Sequence, residues 1–341
     1  MNKMLGRSEP SCHLNHLIHL PHPVIFNMTT YLIRRVLGAI LVILGVATLV
    51  FFMLRAVPGD PFAAMLNEAD PEMAEVLRAK MGLDEPVYVQ YVIWMGNLLR
   101  GDLGSSIYGS NVSVSRIIGE ALPRTLSLAG LSALVALAIA LPAGIISALR
   151  KNSIWDHFFT LIAFLGLSMP GFWLAILLIL IFAVNLNWLP AIGYKPLSEG
   201  FWPWLERLIL PAIATGTAFS AIIARMTRSA MLEVLNSDYI KVARAKGLRE
   251  RIVVSRHALR NALIPVVTVI GIAFALLMSG TVIIENVFVI KGLGRVLIQG
   301  ILNRDYPVVQ GAILLVSTIF VFTNLAVDVL YTFIDPRIRY E

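Results

Sequence analysis

Six long stretches without a charged residue constrain this chain more than any other feature of its sequence. They cover residues 36–54, 125–149, 158–186, 208–224, 261–284 and 306–327. Each reaches the roughly 17 to 25 apolar residues that a helix needs to cross a bilayer. The sequence therefore predicts an all-α membrane protein with six transmembrane helices and both termini on one side.

Two of the six stretches leave alternatives open. Pro170 and Gly171 interrupt the third stretch, and proline is a common cause of sharp kinks, so we expect a break there. The fourth stretch, 208–224, is the shortest. A re-entrant loop is the alternative to a full span at that position.

The composition agrees with a lipid-embedded chain. Hydrophobic residues make up 57% of the 341 residues and charged residues only 14%, with a mean hydropathy of +0.78. That is too little charged surface to cover a soluble globule of this length. In a membrane protein, basic residues collect in the cytoplasmic loops, so the net charge of +7 indicates the orientation of the chain more directly than a binding partner. No binding to nucleic acid is expected. The single cysteine, Cys12, excludes an intramolecular disulfide and a cysteine-based metal cage.

Basic residues are concentrated in the loops on one side of the predicted spans. Segment 225–260 contains nine Lys or Arg and three acids, whereas loop 56–121 contains four basic residues and nine acids. Basic pairs at 34–35 and 150–151, and two arginines near the C terminus, fall on the same side as segment 225–260. By the positive-inside rule we expect that side, with both termini, to be cytoplasmic.

Residues 1–27 differ in character from the rest of the chain. They contain three prolines and four histidines at three-residue intervals, His13, His16, His19 and His22. Met28 follows directly, so we expect a disordered extension, or a start assigned upstream of the true one at Met28. Metal binding by the histidines is the alternative, although Pro21 and Pro23 would break the helix that could align them.

The loop between the first two stretches is long enough to contain structure of its own. Helical spacing occurs at 70–82 and at 86–99, and the second segment is amphipathic enough to lie on the membrane. We therefore expect short helices within an extracytoplasmic region, 57–120. Three tryptophans between the third and fourth stretches are expected to anchor the outer interface, namely Trp188, Trp202 and Trp204.

Motifs that carry chemistry are missing from the sequence. It contains no phosphate-binding loop, no H-E-x-x-H zinc motif and no G-x-S-x-G nucleophile motif. Charged residues are nearly absent from the predicted spans, and Asp328 with its neighbour Asn324 is the exception. An interhelical polar contact is favoured there over an ion-coupling site. We predict no catalytic, cofactor-binding or metal-binding residues, and the chain is not expected to be an enzyme.

The stretch "SDYIKVARAKG" (237–247) predicts a short basic helix on the cytoplasmic side. Ser237 or Asp238 could cap its first N–H groups, and Gly247 could end it in the left-handed conformation. Small residues at 243 and 245 allow close approach, and three basic side chains flank them. Such a helix suits insertion into a groove on a soluble partner, or binding to anionic lipid at the membrane surface.

The extended stretch "SDYIKVARAKGLRERIVVSRHALRNALIPVVTVIG" resembles the cytoplasmic loop of permease subunits of bacterial ATP-binding-cassette (ABC) importers, in particular the dipeptide, oligopeptide and nickel group. Further similar motifs occur in the same order, at 45–61, 101–106, 225–235, 285–315 and 324–340. The broad importer class has E-A-A-x-x-x-G in the loop. Here Lys241 and Val242 replace its first two residues, as is typical of the peptide group, and Lys291 stands where that group usually has proline.

The resemblance implies a type I ABC importer permease fold. It implies a first transmembrane helix at 28–56, a permease core at 121–334 with five transmembrane helices and a coupling loop at 225–260, and a cytoplasmic tail at 335–341. The chain itself is expected to bind no cofactor, because ATP and Mg are used by two separate ATP-binding subunits. A second homologous permease subunit, an extracytoplasmic substrate-binding protein and membrane lipid are the other implied partners, in the bacterial cytoplasmic membrane.

The resemblance also implies roles for particular residues. Contact with the ATPase is implied for Asp238, Tyr239, Lys241, Ala243, Arg244, Ala245, Lys246 and Gly247. An outer gate region is implied at Glu285, Phe288, Gly292 and Gly294. A stand-alone secondary transporter or channel is the alternative function, disfavoured because the spans lack charged residues that could couple an ion. The framework does not distinguish dipeptides from longer peptides, glutathione-like compounds, nickel chelates or opines as substrate.

Overall fold

The computed structural model describes residues 28–56, 84–107 and 112–334, and within them the chain is helical apart from turns and one isolated bridge. In chain order the helices are α1 (Met28–Ala56), α2 (Val87–Leu99), α3 (Val114–Leu149), α4 (Ile154–Ser168), α5 (Gly171–Leu178), α6 (Phe201–Leu235), α7 (Asp238–Ala245), α8 (Leu259–Val287), α9 (Leu293–Leu302) and α10 (Tyr306–Ile334). A π-helical segment, Ile179–Asn185, extends α5, and a 3₁₀ turn lies at Leu197–Glu199. A helical turn at Glu250–Ile252 and a π-helical segment at Val253–Ala258 lead into α8.

Five of the described helical segments are long and apolar enough to cross a membrane, and a bent pair makes up to six. The bent pair is α4 and α5, which meet at an angle of 102°. Pro170 stands at the break, where Met169 is extended with ψ 125° and proline has no N–H to continue the helix. The predicted kink in the third stretch is therefore confirmed.

The fourth stretch is a span and not a re-entrant loop. Helix α6, which contains it, is continuous for 35 residues. The apolar run at 208–224 is short because it covers only the middle of this helix. The helix continues past charged residues at both ends, Glu206 and Arg207 before the run and Arg225 and Arg228 after it, as expected where a span leaves the hydrocarbon layer. The re-entrant alternative at this position is wrong.

Helices α3 and α6 pack closely through small residues. A Cβ added to Gly144 would lie 2.7 Å from the carbonyl oxygen of Ala224, and one added to Gly216 would lie 2.6 Å from that of Ser132. Small residues let helix backbones approach in a membrane, where the hydrophobic effect does not drive helices together. The α3–α6 pair is therefore the closely packed centre of the bundle.

Helix α2 packs against the C-terminal half of α1. The Tyr91 and Trp94 rings lie 5.2 Å and 5.1 Å from the Phe51 ring. Arg55 stacks over the same ring at 3.5 Å and donates from Nε to Gln90 Oε1 at 2.8 Å. The helix predicted at 86–99 is therefore confirmed. The second predicted loop helix at 70–82, the extension 1–27 and the tail 335–341 lie outside the described residues.

Apolar clusters lie at both ends of the bundle. At one end, buried residues of α3, α6, α7 and α8 pack together, among them Ala148, Met231, Ile240 and Ala262. At the other end, Leu208 and Phe288 pack with the partly buried Trp204. The first end contains the basic segment 225–260, so the sequence-predicted cytoplasmic residues are close together in space.

Candidate functional site

Helix α7 follows α6 almost without a connection. The backbone N–H of Ser237 donates to Val234 O at 3.1 Å, and the Ser237 hydroxyl donates to the same oxygen at 2.6 Å. The Ser237 side chain therefore caps the end of α6 and makes no capping bond to α7. Asp238 accepts from Lys241 Nζ at 2.8 Å. Ser237 is the N-cap residue of α7, as predicted, but the predicted capping bond is wrong because its hydroxyl donates to α6 instead.

The C-terminal end of α7 agrees with the sequence. Gly247 has φ +77° and its N–H donates to Arg244 O at 2.9 Å, so the predicted left-handed stop is confirmed. Arg244 also reaches across this turn, with Nη2 2.6 Å from Glu250 Oε1. That hydrogen bond lowers the pKa of the Glu250 carboxyl from its ordinary value. The two side chains hold α7 beside the helical turn at Glu250–Ile252.

One face of α7 is buried within this chain and the opposite face is exposed. Ile240 and Ala243 pack with Met231 and Val253 in the apolar cluster at this end of the bundle. Ala243 is only 6% exposed, because a spacing of three residues places it beside Ile240 on the inner face. Its side chain therefore offers little surface to a partner, and its predicted role in partner contact stays a prediction.

The outer face of α7 combines apolar and basic side chains. Tyr239 and Val242, three residues apart, are 44% and 52% exposed. Leu248 adds a further exposed apolar side chain beyond the helix end. The other residues predicted to contact the ATPase surround them and are exposed. They are Asp238, Lys241, Arg244, Ala245, Lys246 and Gly247. An apolar stripe with a basic rim can enter a groove on a protein with acidic edges.

A partly buried ion pair lies at the same end of the bundle, and sequence reasoning missed it. Arg228 of α6 donates from Nε and Nη2 to the two carboxylate oxygens of Asp156 on α4, at 2.7 Å and 2.8 Å. Ser147 of α3 donates to the same carboxylate. The Asp156 side chain is only 3% exposed. The capping pattern Ser153-x-x-Asp156 was the available signal, and Asp156 N does donate to Ser153 Oγ at 3.4 Å.

One predicted gate residue, Glu285, lies in a compact hydrogen-bonded cluster at the other end. Glu285 of α8 is fully buried and accepts from Thr125 Oγ1 at 2.6 Å and from Arg295 N at 3.1 Å. The carboxylate thereby meets the N-terminus of α9, where a negative charge is favourable. A Cβ on Gly292 would lie 2.5 Å from Glu285 Cδ, so a larger residue there would displace the carboxylate.

The remaining gate residues lie near this cluster. Gly294 packs against Val282, where an added Cβ would be 2.4 Å from Cα. Phe288 is buried separately, among Leu128 and Leu208. Thr125 on α3 also accepts from Leu293 N at 2.8 Å, and sequence reasoning did not find it. Glu285 is thus a second acidic residue in a long apolar helix, α8, besides Asp328 in α10.

Asp328 lies at an interhelical contact. Its Oδ2 is 2.8 Å from Arg35 Nη1 of α1. Asn324 lies one turn away on α10 and is half-buried. Within the described ranges 28–56, 84–107 and 112–334, no group of three or more His, Cys, Asp or Glu side chains could hold a metal ion.

Two profiles of known protein families match the chain. Residues 28–129 match the N-terminal part of the binding-protein-dependent transport system membrane component. Residues 140–340 match the binding-protein-dependent transport system inner membrane component. The second match includes α7, the Asp156–Arg228 pair and Glu285, whereas Thr125 lies in the first.

Individual curated proteins are similar along most of the chain. A putative peptide transport system permease protein of Brucella abortus (strain 2308) is 45% identical over 315 residues, which are 92% of this chain and 100% of that protein. The oligopeptide transport system permease protein AppB of Bacillus subtilis (strain 168) is 41% identical over 319 residues, with coverage of 92% and 100%.

One solved structure shows the same fold. The MetNI methionine ABC transporter, in inward-facing conformations, matches with a TM-score of 0.54 at 21% identity, over 64% of this chain and 96% of that one. At this identity the likeness concerns the fold alone. Together with the family match it confirms the predicted importer permease fold.

Proposed function

The chain belongs to the family of binding-protein-dependent transport system inner membrane components, and on that premise we propose that it is the permease subunit of an ATP-driven importer. Its spans form half of a pathway through the bacterial cytoplasmic membrane, and a second homologous permease subunit supplies the other half. ATP and Mg are bound by two separate subunits, since the sequence has no phosphate-binding loop.

Peptides are the proposed cargo. Support comes from the relatives at 41% to 45% identity, whose names refer to peptide or oligopeptide transport and which align over their whole length. An extracytoplasmic binding protein delivers the peptide to the end of the bundle that contains the Glu285 cluster. Glu285, Phe288, Gly292 and Gly294 are proposed to form an outer gate there.

The single observation that carries the proposal is the two-faced geometry of α7. Its inner face packs into the chain's own core through Ile240 and Ala243, so the helix moves with the spans. Its outer face presents Tyr239 and Val242 with basic neighbours. An ATP-binding subunit that holds this outer face can therefore shift the spans between inward-facing and outward-facing states. Both termini lie on the same cytoplasmic side.

The test replaces Val242 by glutamate. Because Val242 is 52% exposed, Val242→Glu should leave the fold and membrane insertion intact. At a docked interface it buries an unpaired charge, and we expect recovery of the ATP-binding subunits and ATP-dependent peptide uptake to fall at least about tenfold. The measurements are co-purification with the ATP-binding subunits and uptake into proteoliposomes.

Ile154→Glu is the matched control. Ile154 is 86% exposed as the first residue of α4 at the same end of the bundle, and it should tolerate the same change. Full recovery of the ATP-binding subunits with Val242→Glu would contradict the proposal. Greater damage from reversing Lys241, Arg244 and Lys246 together would instead indicate a helix held by anionic lipid. Uptake that needs no ATP would indicate a secondary transporter.

A further inference from the structure

The ion pair of Asp156 and Arg228 joins α4 to α6, and α7 directly follows α6 in the chain. We propose that this pair is the positioning contact that carries a displacement of α7 into α4 and the bent α4–α5 segment. The inference rests on the proposed function, because it assigns a path to the movement that the ATP-binding subunits impose on α7.

The first step of the path runs from α7 to Arg228. Helix α6 is continuous to Leu235 and α7 begins at Asp238, so no flexible loop separates them. Arg228 lies about two turns before the end of α6. The buried residues of α7 pack with Ala230 and Met231 of those same turns. A displacement of α7 therefore moves the Arg228 guanidinium.

The second step runs from Arg228 to the start of α4. The guanidinium holds both oxygens of Asp156, at 2.7 Å and 2.8 Å, in the planar paired geometry that resists rotation and sliding. Asp156 lies in the first turn of α4, and its carboxylate also accepts from Asn152 N at 2.9 Å. The pair thus fixes the end of the α3–α4 connection and not only one side chain.

Apolar packing between α4 and α6 is incomplete beside the pair. A small groove there is lined by Gly144, Thr160, Ala163 and Ala224, together with Arg225 and Arg228 of α6. A close approach of α4 and α6 occurs further along, where a Cβ on Gly166 would lie 3.3 Å from Thr217 Cγ2. The ion pair is therefore the strong directional contact at the start of α4.

The geometry of α4 and α5 gives this contact a consequence. The two helices meet at 102°, so a shift of α4 along its own axis moves α5 sideways relative to its axis. A movement imposed on α7 is in this way turned into a lateral movement of a membrane-embedded segment. Without the pair, α6 and α7 could move while α4 and α5 lag behind.

The test uses the complete importer in proteoliposomes, with ATP-binding subunits and binding protein present. Asp156→Asn removes the charge, and Arg228→Lys keeps the charge but loses the fork geometry. We expect both variants to recover the ATP-binding subunits and to hydrolyse ATP. Peptide taken up per ATP hydrolysed should fall at least tenfold with Asp156→Asn and less with Arg228→Lys. A merely structural role would lower the yield of complex and leave this ratio unchanged.

Glu120→Gln is the matched control, since it removes the acid of the exposed Arg116–Glu120 pair and should leave the ratio unchanged. A second measurement restores the connection covalently. Asp156→Cys and Arg228→Cys are combined with Cys12→Ser, and a short bifunctional thiol reagent joins the two cysteines. We expect the joined protein to regain uptake per ATP relative to the same protein before joining.

Three outcomes would overturn the inference. They are an unchanged ratio in Asp156→Asn, no gain on joining the cysteines, and failure of both single variants to assemble, which would make the pair purely structural. Failure of the proposed function is distinguishable from these, because the unmodified complex would then take up peptide without ATP or not at all.

Discussion

Single residues decide how four of the described helices end. Each ends with a left-handed residue just beyond its C-cap, and these residues are Gly101, Gly247, Val289 and Arg304. After Val289, the N–H of Ile290 donates to Glu285 O at 2.8 Å, which is the bond expected of such an end. Valine is β-branched and disfavours this conformation. Strain is therefore concentrated at Val289, next to the Glu285 cluster.

Val289→Gly should relieve this strain. We expect the free energy of unfolding to rise by about 1 kcal/mol, because glycine adopts positive φ without a steric cost. The measurement is the melting temperature of the purified protein in detergent. Val287→Gly is the matched control, since Val287 is the last residue of α8 and glycine there should lower the melting temperature. A lower melting temperature for Val289→Gly would mean that side-chain contacts of Val289 outweigh the strain.

Contacts between elements are made mainly by small residues in α3, α6 and α8. Gly144 and Gly216 mark close approaches between α3 and α6, and Gly271 marks one between α8 and α10 at Val327. In the same helix as Gly144, Gly130 has no atom within 4 Å of an added Cβ among the described residues. Gly130 and Gly144 thus occupy opposite environments within α3, although nothing in their neighbouring sequence separates them.

Gly144→Ala and Gly130→Ala should therefore have opposite effects. At Gly144 the new methyl would lie 2.6 Å from Thr227 Cβ, and overpacking should lower stability by about 1 to 3 kcal/mol. At Gly130 the methyl meets open space, and the better helix propensity of alanine should raise stability by up to about 1 kcal/mol. Thermal unfolding of the two purified variants side by side checks the sign. Equal effects would show that α3 and α6 can separate at Gly144 without cost.

The whole molecule is asymmetric along the bundle axis. One end gathers segment 225–260, α7 and the Asp156–Arg228 pair, and the other gathers α9, the Glu285 cluster and Trp204. The positive-inside rule predicts that the first end is cytoplasmic. The proposed docking of ATP-binding subunits on α7 requires this orientation.

Accessibility from the two sides of the membrane tests this orientation. Single cysteines at Ser198 and Asn236, both exposed, are introduced together with Cys12→Ser. An impermeant thiol reagent applied to intact cells should label the cysteine at 198 and not the one at 236. A permeant reagent should label both and serves as the control. Labelling at 236 from outside would invert the topology.

Local patterns in the sequence were sufficient for the spans, the break at Pro170, the left-handed end at Gly247 and the charge asymmetry. Each depends on residues that are adjacent in the chain, so composition and backbone chemistry determine it. The predicted fold could be inferred for the same reason, with the family motifs in order along the chain.

The tertiary structure alone decided which side chains meet. Asp156 and Arg228 are 72 residues apart, and Thr125 and Glu285 are 160 apart. A span in lipid is apolar on all sides, so its sequence carries little periodic signal to set the rotation of one helix against another. Outside the spans, the packing of α7 against α6 and α8 likewise buried Ala243 beside Ile240 and left Val242 exposed. Close packing of small residues sets that rotation, and it exists only when the helices are assembled.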